Sequence, residues 1–189
     1  EDALEIHTYS QENKKFALYQ HGLKITGNPE DNLVVRAYLL LDKEYHLPPI
    51  EIHLYKHIPS GAGLGGGSAD AASMLKLLNE YYQLKLTESQ LEVYAATLGA
   101  DCAFFIKNAP TFAEGIGNIF SPISLSLKGY QIAIIKPDVF VSTREAFSKI
   151  HPHHPEFPVK EVIRRPIEEW KELLVNDFEA SVFPQHPII

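Results

Sequence analysis

The clearest strand in the chain is marked by apolar and polar side chains that alternate with a period of two. In IEIHLYKHI, residues 50–58, Ile50, Ile52 and Leu54 fall on one face and Glu51, His53 and Tyr55 on the other. That is the signature of a half-buried strand. ALEIHTY, KFALYQ and LKITG, nearer the start, are shorter runs of the same kind, broken by polar residues and glycine. Between them and the strand the period changes. In NLVVRAYLLLDKEYHL the apolar residues Leu33, Ala37, Leu40 and Leu41 recur at helical spacing. Asp31 or Asn32 can cap this helix, and Pro48 and Pro49 end it. A second helix is predicted from about Ser68 to Tyr82, with Ala71, Leu75, Leu78 and Tyr82 as its buried stripe. A third covers TESQLEVYAATLG, opened by a Thr87–Gln90 capping box and closed by Gly99. TFAEGIGNIFSPI reads as two strands joined near Gly115 and Gly117. GYQIAIIKP reads as a strong buried strand, and VSTREAFSKI as a short helix capped by Ser142 or Thr143. HPHHPEFP is a proline-rich loop. VKEVIRRPIEEWKELLVNDFEA is helical, with Pro166 opening its second helix.

This order of elements is α+β, mixed and with antiparallel features. A length of 189 residues suits one large domain or two small lobes. The boundary is expected near Leu127–Gly129, giving regions 1–126 and 128–189. No run approaches the roughly 20 apolar residues of a membrane-spanning helix, and no secretory signal is visible, so no membrane partner is expected. The single cysteine, Cys102, excludes an internal disulfide and fits a reducing cytoplasm. A net charge of -7 argues against nucleic acid as a partner. It does not argue against a small phosphorylated ligand, because one local site can be positive on an acidic protein. The chain starts at Glu1 and enters a strand with no cap or turn, and FPQHPII ends it abruptly. Both ends are therefore expected to be cut.

The stretch PSGAGLGGGSADAAS, residues 59–73, raises the question of chemistry. Five of the chain's 11 glycines fall between Gly61 and Gly67. A flexible linker is the plain reading, but linkers stand between domains, and this run joins a strand to a helix with no spare length. An anion cradle fits better. Glycine permits close backbone approach and positive φ angles, and the following helix offers the unpaired N–H groups of its first turn. Ser68 can cap that helix or donate to a phosphate oxygen. The Walker pattern needs Gly-Lys, which is absent. A G-x-G-x-x-G pattern can be threaded onto Gly61, Gly63 and Gly66, but the acidic strand end it requires falls inside a helix near Glu80.

The pattern P-x-x-x-G-L-G-G-G-S-x-x-A-A resembles the ATP-binding motif of the GHMP kinase superfamily, which includes galactokinase, homoserine kinase and mevalonate kinase. LGADCAFFI, FAEGIGNIFSPI and PEDNLVVRAYLLL are similar, in the same order, to one branch of it. That branch phosphorylates a cytidine-diphosphate-linked methylerythritol in the non-mevalonate isoprenoid pathway. The resemblance implies a two-lobe fold with a first lobe like domain 2 of ribosomal protein S5, here with an incomplete second lobe. It implies ATP and Mg2+, and a cytidine diphosphate sugar-alcohol as partner.

Carried over residue by residue, it assigns the nucleotide to Pro59, Ser60, Gly61, Ala62, Gly63, Leu64, Gly65, Gly66, Gly67 and Ser68, with Asn32, Leu33 and Lys56 near the adenine. Read from the residues alone, Lys56 is equally a solvated lysine at a strand end. Asp101 matches the catalytic aspartate, which accepts or orients the proton of the attacking hydroxyl; capping a short helix is the alternative. Thr143 and Phe147 match positions that contact the cytidine, although Phe147 could as well be core. Asp70 and Asp101 are the candidate magnesium contacts. His151, His153 and His154 are interrupted by prolines and read as a surface loop, with no metal assigned. Cys102 reads as a small buried side chain. The superfamily's early Pro-x-Ala-Lys motif, a tyrosine–histidine pair and a late glycine-rich loop are absent, and Ala103 stands where many relatives have proline. The 189 residues alone are therefore expected to be inactive or nearly so. The rival readings are a GHMP kinase for another alcohol, such as homoserine or mevalonate, a nucleotide-binding module without turnover and, distantly, a dehydrogenase.

Overall fold

The alternating run at Ile50–Lys56, strand β3, lies at the centre of a three-stranded sheet. The computed structural model describes residues 1–9, 14–151 and 153–189, with every side chain among them except that of Thr143. The chain divides into two units, residues 1–122 and 123–189.

In the first unit β1 (Ala3–Thr8) pairs antiparallel to β3, and β2 (Phe16–Gly22) pairs parallel to it. Ile6, Ile52 and Leu18 stand opposite one another and face the core. His7, Glu51, His53, Tyr19, His21 and Tyr55 take the other face, where His21 and Tyr55 stack at 4.3 Å. The parallel pair needs a crossover, and helix α1 (Leu33–Tyr45) supplies it. Asn32 is its N-cap, with Oδ1 accepting the Val34 N–H at 3.0 Å. The helix ends at Tyr45, ahead of the two prolines, through a left-handed His46. Its buried side is Val34, Val35, Ala37, Tyr38 and Leu41, while Leu33 and Leu40 are half-buried.

Helix α2 (Gly66–Tyr81) packs beside α1 and buries Ala71, Ala72, Met74, Leu75 and Leu78. Each fully buried Leu of this layer contributes roughly 1.5–3 kcal/mol. Helix α3 (Glu88–Leu98) begins with the expected Thr87–Gln90 capping box. Helix α4 (Phe104–Lys107) follows one turn later, and β4 (Thr111–Glu114) and β5 (Ile119–Pro122) form the expected hairpin around left-handed Gly115 and Gly117.

Three expectations are corrected. LKITG is not a strand: β3 ends at Lys56, so beyond Gly22 there is no partner to pair with. Helix α2 starts at Gly66, two residues before Ser68, because left-handed Gly65 serves as its N-cap without a side-chain bond. Ser68 therefore lies within the first turn and is not a cap. GYQIAIIKP has no regular structure, and Ile132, Ile134 and Ile135 are 77%, 67% and 88% exposed. A strand is held by its neighbours' hydrogen bonds, and no strand among the described residues lies beside this segment.

In the second unit helix α5 (Thr143–Phe147) is capped by Ser142 and is tied to the later helix Phe178–Val182. Ser181 donates to the Ala146 carbonyl at 2.6 Å, and the Phe147 and Phe178 rings meet edge-on at 4.9 Å. Between them lie the short helices Val159–Val162 and Trp170–Leu173. Pro166 opens the single 3-10 turn that leads into the latter. No helix among the described residues is long and apolar enough to cross a membrane.

Gly22 marks a tight point of the sheet. Its φ is +76°, and a Cβ there would stand 2.2 Å from the Lys56 carbonyl oxygen. Gly22→Ala should cost about 2 kcal/mol or more, because both strain and a backbone clash oppose it. Urea unfolding followed by circular dichroism checks this; an unchanged midpoint would contradict it.

Candidate functional site

The glycine stretch spans the gap between the last residue of β3 and the first turn of α2. Gly61, Gly63 and Gly65 have φ of +70°, +70° and +68°, left-handed at every second position. Such geometry turns successive N–H groups toward one side of the chain and forms an anion-binding concavity. The packing demands glycine too: a Cβ on Gly65 would meet the Phe105 ring at 2.8 Å, and one on Gly66 would meet Ile58 Cγ2 at 2.9 Å. The first bond of α2 runs from Ala69 N to Gly65 O at 2.9 Å. The N–H groups of Gly66, Gly67 and Ser68 thus have no helical acceptor and face the loop. Pro59 and Ala62 are half-buried, and Ser60, Gly61, Gly63 and Leu64 are exposed.

Asp101 comes to the same place. It sits in the turn between α3 and α4, exposed, with neither a hydrogen bond nor an ion pair among the described residues. It does not cap α4, whose N-cap is Ala103. A cavity of about 410 Å³ is lined by Gly63, Leu64 and Gly65, by Asp101, by Phe104 and Phe105, and by the hairpin residues Thr111 and Phe120. Residues 36 positions apart in sequence therefore face one space.

The start of α1 borders the loop's exit. A Cβ on Gly67 would lie 3.7 Å from Leu33 Cδ1, and Asn32 precedes Leu33 at the cap. One turn along the same helix stands Arg36, which sequence reasoning missed. Its signal was spacing: Arg36 follows Asn32 by four residues and Leu33 by three, the separations at which side chains on a helix are neighbours. Arg36 is exposed, and its charge reaches the buried Cys102. Burial pushes the Cys102 thiol up, Asp101 adds to this, and the neighbouring Ser68 hydroxyl and the charge of Arg36 work against it. Cys102, fully buried, is the small core side chain expected.

Lys56 is the main surprise. It is only 2% exposed, so the solvated reading is wrong. Its Nζ binds Asp70 Oδ2 at 2.8 Å and also the Asp2 carboxylate. Asp2 Oδ1 in turn accepts the N–H groups of His57 at 2.7 Å and Ile58 at 2.9 Å. The ammonium is committed to two carboxylates. Asp70, 7% exposed, is likewise paired in this cluster through Oδ2.

Thr143 and Phe147 belong to the second unit. The side chain of Thr143 lies outside the described part of the structure, and the Phe147 ring is 60% exposed against Phe178. Among the described residues no group of three or more His, Cys, Asp or Glu could hold a metal ion.

Residues 32–109 match the family model described as the GHMP kinases N terminal domain. A 4-diphosphocytidyl-2-C-methyl-D-erythritol kinase of Bacteroides thetaiotaomicron is 79% identical over all of this chain, which spans 69% of that protein's length. The chain belongs to this family of GHMP kinases. A Bacteroides fragilis family member is 69% identical, again with 69% of its length covered. A crystal structure of a 4-(cytidine 5'-diphospho)-2C-methyl-D-erythritol kinase superposes with a TM-score of 0.70 at 28% identity, over 99% of this chain and 66% of that one. Homoserine kinase from Cytophaga hutchinsonii shares the fold alone, with a TM-score of 0.54 at 17% identity. The stretch matched by the family model holds Asn32, the glycine loop and Asp101 together.

In this GHMP kinase the buried cluster has a defined electrostatic balance. Burial alone would raise the Asp2 carboxyl, but the Ile58 and His57 amides and the Lys56 ammonium hold it down at about 2. Burial holds Asp70 above the usual carboxylate range against the pull of Lys56. Burial pulls the Lys56 ammonium down, and the two carboxylates outweigh it, so its pKa is raised. Because Asp2 is depressed in the folded state, its stabilisation is complete above its ordinary 3.8 and is lost as pH falls toward about 2. Asp2→Asn should therefore cost about 2 kcal/mol at neutral pH, with the gap to wild type closing at lower pH. Urea midpoints of both proteins at pH 7, 4 and 3 check this; a gap that does not narrow would show that Asp2 is not ionised in the folded protein.

Proposed function

We propose that the protein to which this chain belongs transfers the γ-phosphate of ATP to the 2-hydroxyl of 4-diphosphocytidyl-2-C-methyl-D-erythritol. The observation that carries the reading is the shared cavity: the glycine loop and Asp101 line one space. The names of the relatives, at up to 79% identity, supply the acceptor. Phosphoryl transfer depends on positioning and charge stabilisation more than on covalent chemistry. The N–H groups of the loop and of the first turn of α2 hold the phosphate oxygens. Asp101 lies beside them, with a carboxylate that nothing else engages. It accepts the proton of the acceptor hydroxyl as the oxygen–phosphorus bond forms and the bond from the γ-phosphorus to the bridging oxygen breaks. ADP leaves with the bonding pair.

Magnesium fits this site, since Mg2+ is held by one or two carboxylates together with substrate phosphates, and Asp101 offers an exposed carboxylate in the cavity. When bound, the ion offsets phosphate charge. The first unit then serves as the nucleotide lobe, with Asn32 and Leu33 beside the loop and Lys56 beneath it. The second begins the acceptor lobe, where Thr143 and Phe147 are the proposed cytidine contacts. A free, buried Cys102 suits a reducing cytoplasm.

Asp101→Asn in the full-length protein tests the reading. Turnover should fall by ~10²–10⁴-fold, with the affinity for a non-hydrolysable ATP analogue nearly unchanged. Homoserine and mevalonate should not replace the cytidylated acceptor. Wild-type turnover in the Asn variant would remove Asp101 from the mechanism, and equal rates with homoserine would displace the acceptor assignment.

A further inference from the structure

We propose that Asp2, Lys56 and Asp70 form a latch that sets the shape of the glycine loop and are positioning residues for nucleotide binding; the second half rests on the reading of the loop given above. Lys56 is the last residue of β3, and Asp70 is the fifth residue of α2. Their 2.8 Å ion pair closes the loop at its base. Asp2 holds the entry, since its Oδ1 receives both amides that lead into the loop, at 2.7 and 2.9 Å. The exit is packed on the same point. A Cβ on Gly66 would stand 2.9 Å from Ile58 Cγ2 and 3.3 Å from Lys56 Nζ. Entry, exit and ammonium thus meet in one spot, with the Lys56 and Asp70 side chains 2% and 8% exposed.

Stability does not demand charges here. Burying ions is costly, and well-packed apolar residues of similar volume often serve as well or better. What the ions add is direction. A carboxylate that accepts two named amides fixes their orientation, which an apolar contact cannot do. Between the clamped ends Gly61 and Gly63 are exposed, and nothing lies within 4 Å of a Cβ placed on Gly63, so little else holds them. The cradle's N–H groups keep their aim only if the ends are fixed.

The test uses the full-length protein and two readouts: hydrogen exchange of peptides covering residues 57–68, and the dissociation constant of a fluorescent ADP analogue. Asp70→Asn is the primary variant, and Asp2→Asn is the milder one should the first fold poorly. Leu41→Ala, in the core of α1, is the control, compared at a temperature where all variants are folded. The latch variants should speed exchange selectively in 57–68 and weaken the analogue by about tenfold or more, as small misplacements of binding groups do. The Leu41 variant should change neither, despite a comparable loss in Tm. Loop exchange in both Asp variants that matches the Leu41 control overturns the proposal, as does unchanged affinity beside selectively faster exchange. If wild type binds no ADP analogue, the nucleotide reading of the loop falls, and the exchange data alone decide whether the latch exists.

Discussion

An ammonium group buried at the end of the central strand must be met by carboxylates, and much of the first unit's geometry follows from that. Lys56 cannot stay charged in a nearly dry site without partners, because desolvation of an unpaired ion costs several kcal/mol. Its partners come from Asp2, just before β1, and from α2, so three parts of the chain converge on one point. The glycine loop hangs between two of them. Its residues can be conformationally permissive because the strand and the helix that bound it are not.

The same cluster bears on how the site manages charge. One ammonium facing two carboxylates leaves nothing positive to offer a phosphate. On the proposed reading, the cradle therefore depends on backbone N–H groups, on the positive end of α2 and on whatever cation lies nearby. Among the described residues Arg36 is exposed, is without an ion pair and stands one turn from Asn32. Its charge is felt at Cys102, directly beside Asp101. On the proposed reading, a phosphate loop without a lysine of its own relies on such neighbours.

Local rules reached far into this chain where local forces decide. The alternation of Ile50, Ile52 and Leu54, the Thr87–Gln90 box and the hairpin at Gly115 and Gly117 are each set by neighbours within a few residues, and each is present. GYQIAIIKP is equally apolar but depends on partners far along the chain, and none of the described strands lies beside it. LKITG failed for the same reason. Of the two readings of Lys56, the solvated strand-end lysine fails, although the pattern held the clue. Asp2 and Lys56 share the parity of Leu4, Ile6, Ile52 and Leu54, and Asp70 lies on the stripe of Met74 and Leu78. By period, three charged residues stand at core positions.

Chain order alone marked the glycine run between a strand and a helix as a candidate anion cradle, and the resemblance of LGADCAFFI to a family motif singled out Asp101. Those depend on residue type and short spacing, which a linear pattern carries. Folding was needed to bring Asp101 to Gly63–Gly65 in one cavity, to turn Lys56 inward and to set Arg36 within reach of Cys102. Distances between residues remote in sequence are set by how helices and sheet pack, and no period along the chain encodes them.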